Sequence, residues 1–398
     1  METIRMATTE HPSAAAPSRS IFSEDHEALR ESIRSFVDKE IVPHVQEWDD
    51  TTFPDSIVKR MGDLGFLGLS IPEEYGGQGG DYFTNIVLAE EIARAGSGGF
   101  LMGLSVHTDM VMPPLLEFGT EEQKQQYIPA GVAGDEIFCL GITEPDAGSD
   151  VAAIKTRAVR DDAAGEWVIN GSKTYITNGT RASMCMLVTK TDPDAGYGGF
   201  TIFLVPMDAP GVLVEQKLEK MGMHASDTAL LAFQDVRVPD SAVLGTVGKG
   251  FQQIMWELQA ERTIAAAGVT AYAQYGFDKT VEYATERKTF GRALGQHQAI
   301  RHKFAQMATE LEAARELVYA TAASYASGEY DVRKISMCKL FATQVADRVA
   351  DQCVQIHGGA GYMKEYDISR VYRDVRLYRI GAGADEIMLD VIGKSYGF

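Results

Sequence analysis

The sequence predicts an α+β fold in which a helical domain, a β domain and a helical bundle follow one another along the chain. Apolar residues recur with helical spacing from about residue 22 to 137, give way to β-rich runs from 138 to 246, and return to helical spacing from 247 to 398. The α and β elements are segregated rather than alternating, which argues against a doubly wound nucleotide-binding fold. We therefore expect domains at 21–137, 138–246 and 247–398.

The N-terminal domain opens with a helix that carries its own start and stop signals. Ser23 can cap the helix ahead of an acidic first turn, Ile33 and Phe36 belong to one apolar stripe, and Pro43 should end or kink it. Two further runs have the helical period, TNIVLAEEIARAG (84–96) and TEEQKQQYIPAG (120–131), and a glycine-rich loop, SIPEEYGGQGGD (70–81), precedes them.

The middle domain is predicted from four β-rich runs separated by turns. These runs are EWVINGSKTYITNG (166–179), ASMCMLVTK (182–190), GGFTIFLVPM (198–207) and TALLAFQDVRVP (228–239). Beyond residue 247 three long segments have the helical period, at 249–288, 297–328 and 333–358. Long helices at this density imply a bundle.

Composition and charge exclude several classes of function. The formal net charge is -19, so the chain repels nucleic acid and anionic membranes, and we expect neither as a partner. Four cysteines without C-x-x-C spacing indicate a reducing compartment, which we take to be the cytoplasm. Residues 1–20 are rich in Ala, Ser, Thr and Pro and are predicted to be a disordered tail without a signal sequence.

Generic catalytic motifs are absent. The sequence contains no P-loop, no H-E-x-x-H zinc motif and no G-x-S-x-G elbow, and we expect no metal site. The Gly-x-Gly within RLYRIGAGADEIM (376–388) has no βαβ unit around it, so it is not a dinucleotide-binding fingerprint.

Four stretches combine glycine with polar groups beside a boundary between elements: GITEPDAGSD (141–150), KTYITNG (173–179), ERKTFG (286–291) and QIHGGAGY (355–362). Taken singly, each is more often a turn or a helix cap. In this order, and together with PEEYGG and the pair Arg373–Asp374, they resemble the acyl-CoA dehydrogenase family from about residue 22 to 398.

That resemblance implies a fold, a reaction and a cofactor. The family has an N-terminal helical domain, a middle β-barrel or sandwich domain and a C-terminal four-helix bundle. Its members bind FAD at a subunit interface, oxidise acyl-CoA thioesters to 2,3-enoyl-CoA, and pass electrons to an electron-transferring flavoprotein. A homotetramer built as a dimer of dimers is the expected assembly.

The resemblance also assigns cofactor-binding residues. Thr143 should lie toward the pyrimidine end of the flavin and Thr177 near flavin N5, while Tyr175 stands where many members have Trp. Hydrogen-bond donors at the flavin edge stabilise the charge of the reduced ring. The full set is Leu140, Ile142, Thr143, Ser149, Tyr175, Ile176, Thr177, Arg287, Phe290, Gln298, Gln355, Gly358, Gly359, Ala384 and Glu386. Those from Arg287 to Gly359 match residues that reach the FAD of the neighbouring subunit.

The catalytic base is displaced from its commonest position. Many members carry a Glu where this chain has Ala382, and Ala cannot take a proton. In the branch that includes isovaleryl-CoA and long-chain acyl-CoA dehydrogenases, the base is a Glu preceding an Arg on the first helix of the C-terminal bundle, which Glu261 and Arg262 match. We therefore expect Glu261 to be the base; the alternative is an ordinary surface acid.

The same family resemblance implies contacts with the substrate. The amide N–H of Ala382 should donate to the thioester carbonyl, and the small residues around it leave volume for a branched or bulky acyl group. The expected substrate-binding residues are Ser149, Gln259, Arg262, Gly381, Ala382 and Gly383, with Met102, Gly103 and Val106 at the wall of the acyl pocket. Two alternatives stay open: a relative that oxidises a carrier-protein-bound acyl group or uses oxygen, and a non-catalytic thioester- or flavin-binding protein.

Overall fold

A computed structural model describes residues 21–397, and the tail predicted at 1–20 lies outside this range. The N-terminal domain is helical, as predicted. Its α-helices are α1 (Glu24–Phe36), α2 (Val45–Asp50), α3 (Asp55–Asp63), α4 (Tyr82–Ala93), α5 (Gly98–Ser105), α6 (Met112–Phe118) and α7 (Glu121–Val132).

The first helix begins at the residue that its sequence indicated, but its α-helical part ends at Phe36, before Pro43. The Ser23 side chain accepts from the amide of His26, which caps α1, while Ile33 and Phe36 are buried. A π-helical turn, Val37–Ile41, and a 3₁₀ turn containing Pro43 then interrupt the α-helix before α2 begins at Val45. The proline lacks the amide N–H that a continuing helix would need.

The middle domain is one bent sheet of eight strands in the order β6-β7-β3-β2-β4-β5-β8, with β1 added in parallel to β4. The strands are β1 (Phe138–Gly141), β2 (Arg157–Asp161), β3 (Glu166–Thr177), β4 (Met184–Lys190), β5 (Phe200–Pro206), β6 (Val212–Lys217), β7 (Thr228–Pro239) and β8 (Val243–Leu244). Because β6 and β8 are its two ends, the sheet is not a closed barrel.

Strand β4 has both faces covered, which explains why its sequence is apolar at nearly every position. Cys185 and Leu187 point into the core enclosed by the bent sheet. Met184 and Met186, on the alternate face, pack with N-terminal helices and with Ile254 of the C-terminal domain. The β domain is therefore sealed against both helical domains.

The C-terminal domain is the predicted helical bundle. Its helices are α8 (Gly250–Glu286), α9 (Gln298–Ala326), α10 (Val332–His357), α11 (Asp367–Tyr378) and α12 (Asp385–Lys394), and a small hairpin of β9 (Lys288–Thr289) and β10 (Arg292–Ala293) follows α8. The first four of these helices form the bundle, and α12 packs on α10. Helix α4 packs on α8, so the N-terminal domain and the bundle share one apolar core.

None of the helices within residues 21–397 combines the length and the apolar character that a bilayer crossing demands.

Candidate active site

The first half of α8 carries Glu261 into the junction of the two helical domains. Its side chain is buried, with the residue only 7 % exposed. It lies at the edge of a small cavity walled by Leu101, Met102, Ser105, Asp109, Met110, Ile264, Ala265, Gly268 and Tyr378. The residues three, four and seven positions after Glu261 face the same cavity because helical neighbours at these spacings share a face. Two carboxyl groups, those of Glu261 and Asp109, thus border a space whose other walls are mostly apolar.

Burial raises the pKa of Glu261 above its ordinary value, because a charged carboxylate loses its hydration there. A hydrogen bond from Glu257 and the positive charges of Arg262 and Lys339 act in the opposite direction. A carboxylate with a moderately raised pKa is better matched to proton abstraction near neutral pH.

Two further buried acids stand close to Glu261, and sequence reasoning missed both. Asp109 comes from the π-helical turn after α5, and burial raises its pKa to about 7. Glu257 lies one helical turn before Glu261 and is 1 % exposed, and neither of its carboxyl oxygens has a hydrogen-bond donor among residues 21–397. The four-residue spacing of Glu257 and Glu261 was the signal available in the sequence.

The segment 381–384 lies against the start of α12 with an unusual backbone. Ala382 has φ +55° and Gly383 has φ +99°, so two consecutive residues adopt left-handed conformations. At Gly383 a Cβ would meet the end of the Met388 side chain at 2.8 Å and the end of the Arg262 side chain at 3.2 Å, so both would have to shift, and the positive φ itself favours glycine. The turn is therefore fixed both by its own torsions and by its neighbours.

Two buried cations hold this turn by its carbonyl groups. Arg262 donates from Nε to the Ala382 carbonyl at 3.0 Å, and Lys339 of α10 donates from Nζ to the Gly383 carbonyl at 2.7 Å. Burial lowers the pKa of Lys339 to about 8. The amide N–H of Ala382 has no acceptor within the described part of the chain, which leaves it available to a ligand.

The two predicted flavin-contacting motifs of the β domain lie side by side. The amide of Thr174 donates to the carbonyl of Thr143 at 2.9 Å. The buried Lys173 joins the motifs again by donating to the Ile142 carbonyl at 2.8 Å and to the Glu144 carboxylate at 2.7 Å. Thr143, in the loop after β1, and Thr177, at the end of β3, are half-buried. Leu140 and Ile142 are also half-buried, whereas Ile176 is buried.

The surface next to these motifs suits a flat aromatic cofactor. Tyr175 is held at φ +61° with its side chain outside the sheet, and the residue is 71 % exposed. A large exposed ring beside half-buried threonine hydroxyls offers one stacking face and several hydrogen-bonding groups. The residues present therefore fit an isoalloxazine ring.

A second group of predicted cofactor residues lies at the far end of the bundle. Arg287 follows the last turn of α8, and Phe290, at the tip of the β9–β10 hairpin, is 98 % exposed. Tyr283 stacks on His357 at 4.3 Å between ring centroids and so brings this end of α8 to the end of α10. Gln298, Gln355, Gly358 and Gly359 are exposed in the same region, and both glycines have open space where a Cβ would point.

The distance between the two groups is set by α8 itself. From Glu261 to Glu286 the helix rises roughly 38 Å, at 1.5 Å per residue. This exceeds the reach of one FAD molecule. Within a single chain, Glu261 and Arg287 cannot serve the same cofactor.

The remaining predicted residues divide between the cavity and its surroundings. Of the three expected at the acyl wall, Met102 lines the cavity, whereas Gly103 faces Phe53 and Asn178 and Val106 is buried outside the lining set. Positions 101, 102, 105 and 109 form the cavity-facing stripe, so 103 and 106 point elsewhere.

Four others can be placed by their exposure and contacts. Gln259 is buried and donates to the Met255 carbonyl at 2.7 Å. Ser149 is exposed in the loop after β1, Ala384 precedes the first turn of α12, and Glu386 is exposed in that turn.

This arrangement suits an oxidoreductase that uses a flavin to dehydrogenate an apolar substrate. The chain belongs to the acyl-CoA dehydrogenase family. Models of the family's three domains match it along almost its whole length: the N-terminal domain at 23–135, the middle domain at 139–236 and the C-terminal domain at 248–397.

Individual relatives agree with this assignment. The long-chain specific acyl-CoA dehydrogenase of Rattus norvegicus mitochondria is 38 % identical over 379 residues, covering 94 % of this chain and 87 % of the rat protein. An acyl-CoA dehydrogenase structure from Geobacillus kaustophilus has a TM-score of 0.92 at 39 % identity, with 95 % and 99 % coverage. A glutaryl-CoA dehydrogenase from Mycobacterium smegmatis, solved in complex with FADH2, has a TM-score of 0.89 at 30 % identity, with 94 % and 95 % coverage.

Proposed function

We propose that this chain catalyses the FAD-dependent α,β-dehydrogenation of an acyl-CoA thioester to the 2,3-enoyl-CoA, with Glu261 as the base. The observation that carries the proposal is the burial of Glu261 at the edge of the apolar cavity, beside a turn whose Ala382 amide is free. An acyl chain in this cavity would place its first carbons between these two groups.

Glu261 removes the proton from the carbon next to the thioester carbonyl. The acidity of that proton depends on how well the developing negative charge on the carbonyl oxygen is stabilised. The Ala382 amide donates to this oxygen, and Arg262 and Lys339 keep the amide aimed by holding the carbonyls of the two peptides that follow it, those of Ala382 and Gly383. The bound flavin supplies the hydride acceptor for the β carbon.

Ala382 has a second consequence for the substrate. Because a methyl group replaces the larger acid of many relatives, space remains beside the α and β carbons. The cavity wall includes the apolar side chains of Leu101, Met102, Met110 and Ile264, which suit contact with an apolar acyl tail. A branched or bulky acyl group is accommodated more easily here than beside a glutamate.

The cofactor site is completed by a second copy of the chain. Thr143, Tyr175 and Thr177 contact the flavin half, while Arg287 and the glycines after α10 reach the pyrophosphate and adenosine half of the partner's FAD. Support comes from the length of α8, which separates Glu261 from Arg287, and from the exposure of Phe290 in the single chain. Arg287 supplies a charged planar fork for phosphate oxygens. We propose that the chain forms a homotetramer in the cytoplasm. The reduced flavin passes its electrons to an electron-transferring flavoprotein.

The proposal is tested by anaerobic bleaching of the flavin band of the purified holoprotein. The panel comprises butyryl-, isobutyryl-, isovaleryl-, octanoyl- and palmitoyl-CoA, with the same acyl groups on a phosphopantetheine carrier protein as a parallel series. Rapid bleaching by one class of CoA ester supports the proposal and defines the acyl group. Bleaching by the carrier-bound esters alone would mean that the substrate is attached to a carrier protein rather than to CoA. No bleaching by either series would overturn a dehydrogenase function.

A further inference from the structure

Glu257 is a buried acid that the reaction outlined above does not use. It lies on α8 one turn before Glu261, and its residue exposure is 1 %. Neither carboxyl oxygen receives a hydrogen bond from a donor among residues 21–397. An ionised carboxylate without donors in such a place would be destabilised by several kcal/mol. The geometry therefore disfavours a second negative charge beside Glu261.

The surroundings of the two carboxyl groups indicate where a proton can be shared. Glu257 and Glu261 are four positions apart on α8, so their side chains are neighbours on one face of the helix. A hydrogen bond between the two carboxyl groups raises the pKa of Glu257 and lowers that of Glu261. Asp109 approaches Glu261 from the turn after α5, Lys339 approaches it from α10, and Arg262 follows it on α8. Tyr325 of α9 is the ionisable group that faces Glu257 from the other side. These groups place two cations near Glu261 and a second acid beyond it.

We propose that Glu257 is a positioning residue which stays protonated and donates a hydrogen bond to the Glu261 carboxylate. This inference rests on the proposed role of Glu261 as the base. The donated bond keeps one oxygen of Glu261 occupied, directs the other toward the cavity, and favours the ionised form that can accept the substrate's α-proton. When Glu261 accepts that proton, the pair holds two protons, and Glu257 has exchanged none with the substrate.

Burial and the neighbouring charge of Glu261 both raise the pKa of Glu257, in agreement with a neutral Glu257 at physiological pH. The pair titrates as a unit, so its first ionisation belongs to the shared proton rather than to either residue alone. Asp109 adds a third acid whose pKa burial raises to about 7, so its ionisation would raise the midpoint of Glu261 further.

The test compares the pH dependence of anaerobic flavin reduction in the Glu257→Gln and Glu257→Leu holoenzymes. The Gln amide can still donate to Glu261, so its midpoint should stay within about half a unit of wild type. Leu cannot donate, and loss of a hydrogen bond to a charged group should raise the midpoint by about one unit or more. Gln253→Leu, a buried polar change one turn earlier on α8, is the matched control and should leave the midpoint unchanged.

Two kinetic results would overturn the inference. One is a pH midpoint of flavin reduction that is lower by a unit or more in Glu257→Gln, because this would mean that Glu257 is ionised in wild type. The other is an unchanged pH midpoint in Glu257→Leu. Infrared difference spectra of wild type against Glu257→Gln at pH 7 report the protonation state of Glu257 without turnover. They do not require the Glu257→Leu variant to fold. A carboxylic-acid C=O band present only in wild type supports the inference, and its absence contradicts it. Full flavin reduction by Glu261→Gln would show that Glu261 is not the base. That result would contradict the proposed function and is distinct from the outcomes for Glu257.

Discussion

Arg262 donates a hydrogen bond from Nε to the carbonyl oxygen of Ala382 at 3.0 Å, and so ties the residue next to the candidate base to the turn that presents the free amide. The proton acceptor and the carbonyl-stabilising donor are thereby fixed to one another across α8 and the α11–α12 connection. Proton abstraction acts on the α carbon and charge stabilisation acts on the neighbouring carbonyl group, so this link helps both groups to reach one bound substrate.

Lys339 holds the other side of the same turn, and Lys339→Met tests how much that support matters. Met has a similar length but cannot donate to the Gly383 carbonyl, so the Ala382 amide should lose its alignment. We expect flavin reduction to slow about 10- to 100-fold, since small displacements of a catalytic donor have effects of this order. Stopped-flow reduction under saturating substrate measures it.

Lys334→Met is the control for that experiment. Lys334 is on the same helix and also donates to a backbone carbonyl, that of Ala320, at 2.8 Å, but it lies away from the turn. Its reduction rate should equal that of wild type. Equal rates for both variants would show that the Lys339 contact does not position the amide.

Relocation of the base tests the geometry around Ala382. Glu261→Ala should be inactive, and the double variant Glu261→Ala with Ala382→Glu should regain part of the reduction rate. Ala382 already has a Cβ at φ +55°, so a longer side chain adds little backbone strain. A double variant with normal FAD content and no reduction by any acyl-CoA would count against the proposed placement of the substrate.

Mixed oligomers test the sharing of the cofactor site between two chains. Glu261→Gln removes the base from one site and Arg287→Ala removes the phosphate contact from the other, because the two residues are roughly 38 Å apart on one helix. A co-expressed, doubly tagged heteromer should therefore contain one intact site per pair and recover roughly half of the wild-type activity at limiting FAD. Activity no higher than that of the single variants would place both residues in one site.

The burial of His107 should make the free energy of unfolding depend on pH. It is buried, with Nδ1 accepting from the Phe138 amide and Nε2 donating to the Gly131 carbonyl, and burial lowers its pKa to about 4. The unfolded chain binds a proton near pH 6.5 while the folded chain does not, so stability is present above pH 6.5 and falls as the pH drops toward 4. This group contributes a loss of about 2 kcal/mol between pH 7 and pH 5.

The measurement for His107 is the unfolding transition of the holoprotein at pH 7 and at pH 5. His107→Gln, which cannot titrate, should reduce the difference between the two conditions. His302→Gln on the exposed face of α9 should preserve it. The same pH difference in all three proteins would remove His107 as its source.

The sequence predicted those elements whose local pattern matches their final environment. The Ser23 cap, the long helices α8, α9 and α10, and the strands β3, β4, β5 and β7 were all recognisable. Strand β1 was not, because four residues paired in parallel with β4 carry no local signal of their distant partner. Strand β6 was missed because its side chains are mostly exposed.

The candidate site residues were predicted from the family resemblance rather than from local patterns. The Glu261–Arg262 pair and Ala382 could be assigned from the family resemblance, but the burial of Glu257 and Asp109 arises from helices that pack over them and has no local pattern. Gly103 illustrates the converse: its small size suggested a pocket wall, yet it makes room for the Phe53 ring. Side-chain direction depends on helix phase, which composition does not give.

Anaerobic flavin reduction by Glu261→Gln is the decisive measurement for the proposed abstraction of the α-proton by Glu261. The variant should bind FAD and the best acyl-CoA of the panel as wild type does, while its reduction rate falls by at least about 10³-fold, since Gln offers no basic oxygen of comparable strength. Glu282→Gln, an exposed change on the same helix, should reduce at the wild-type rate. Flavin reduction in Glu261→Gln at a near wild-type rate would show that Glu261 is not the base.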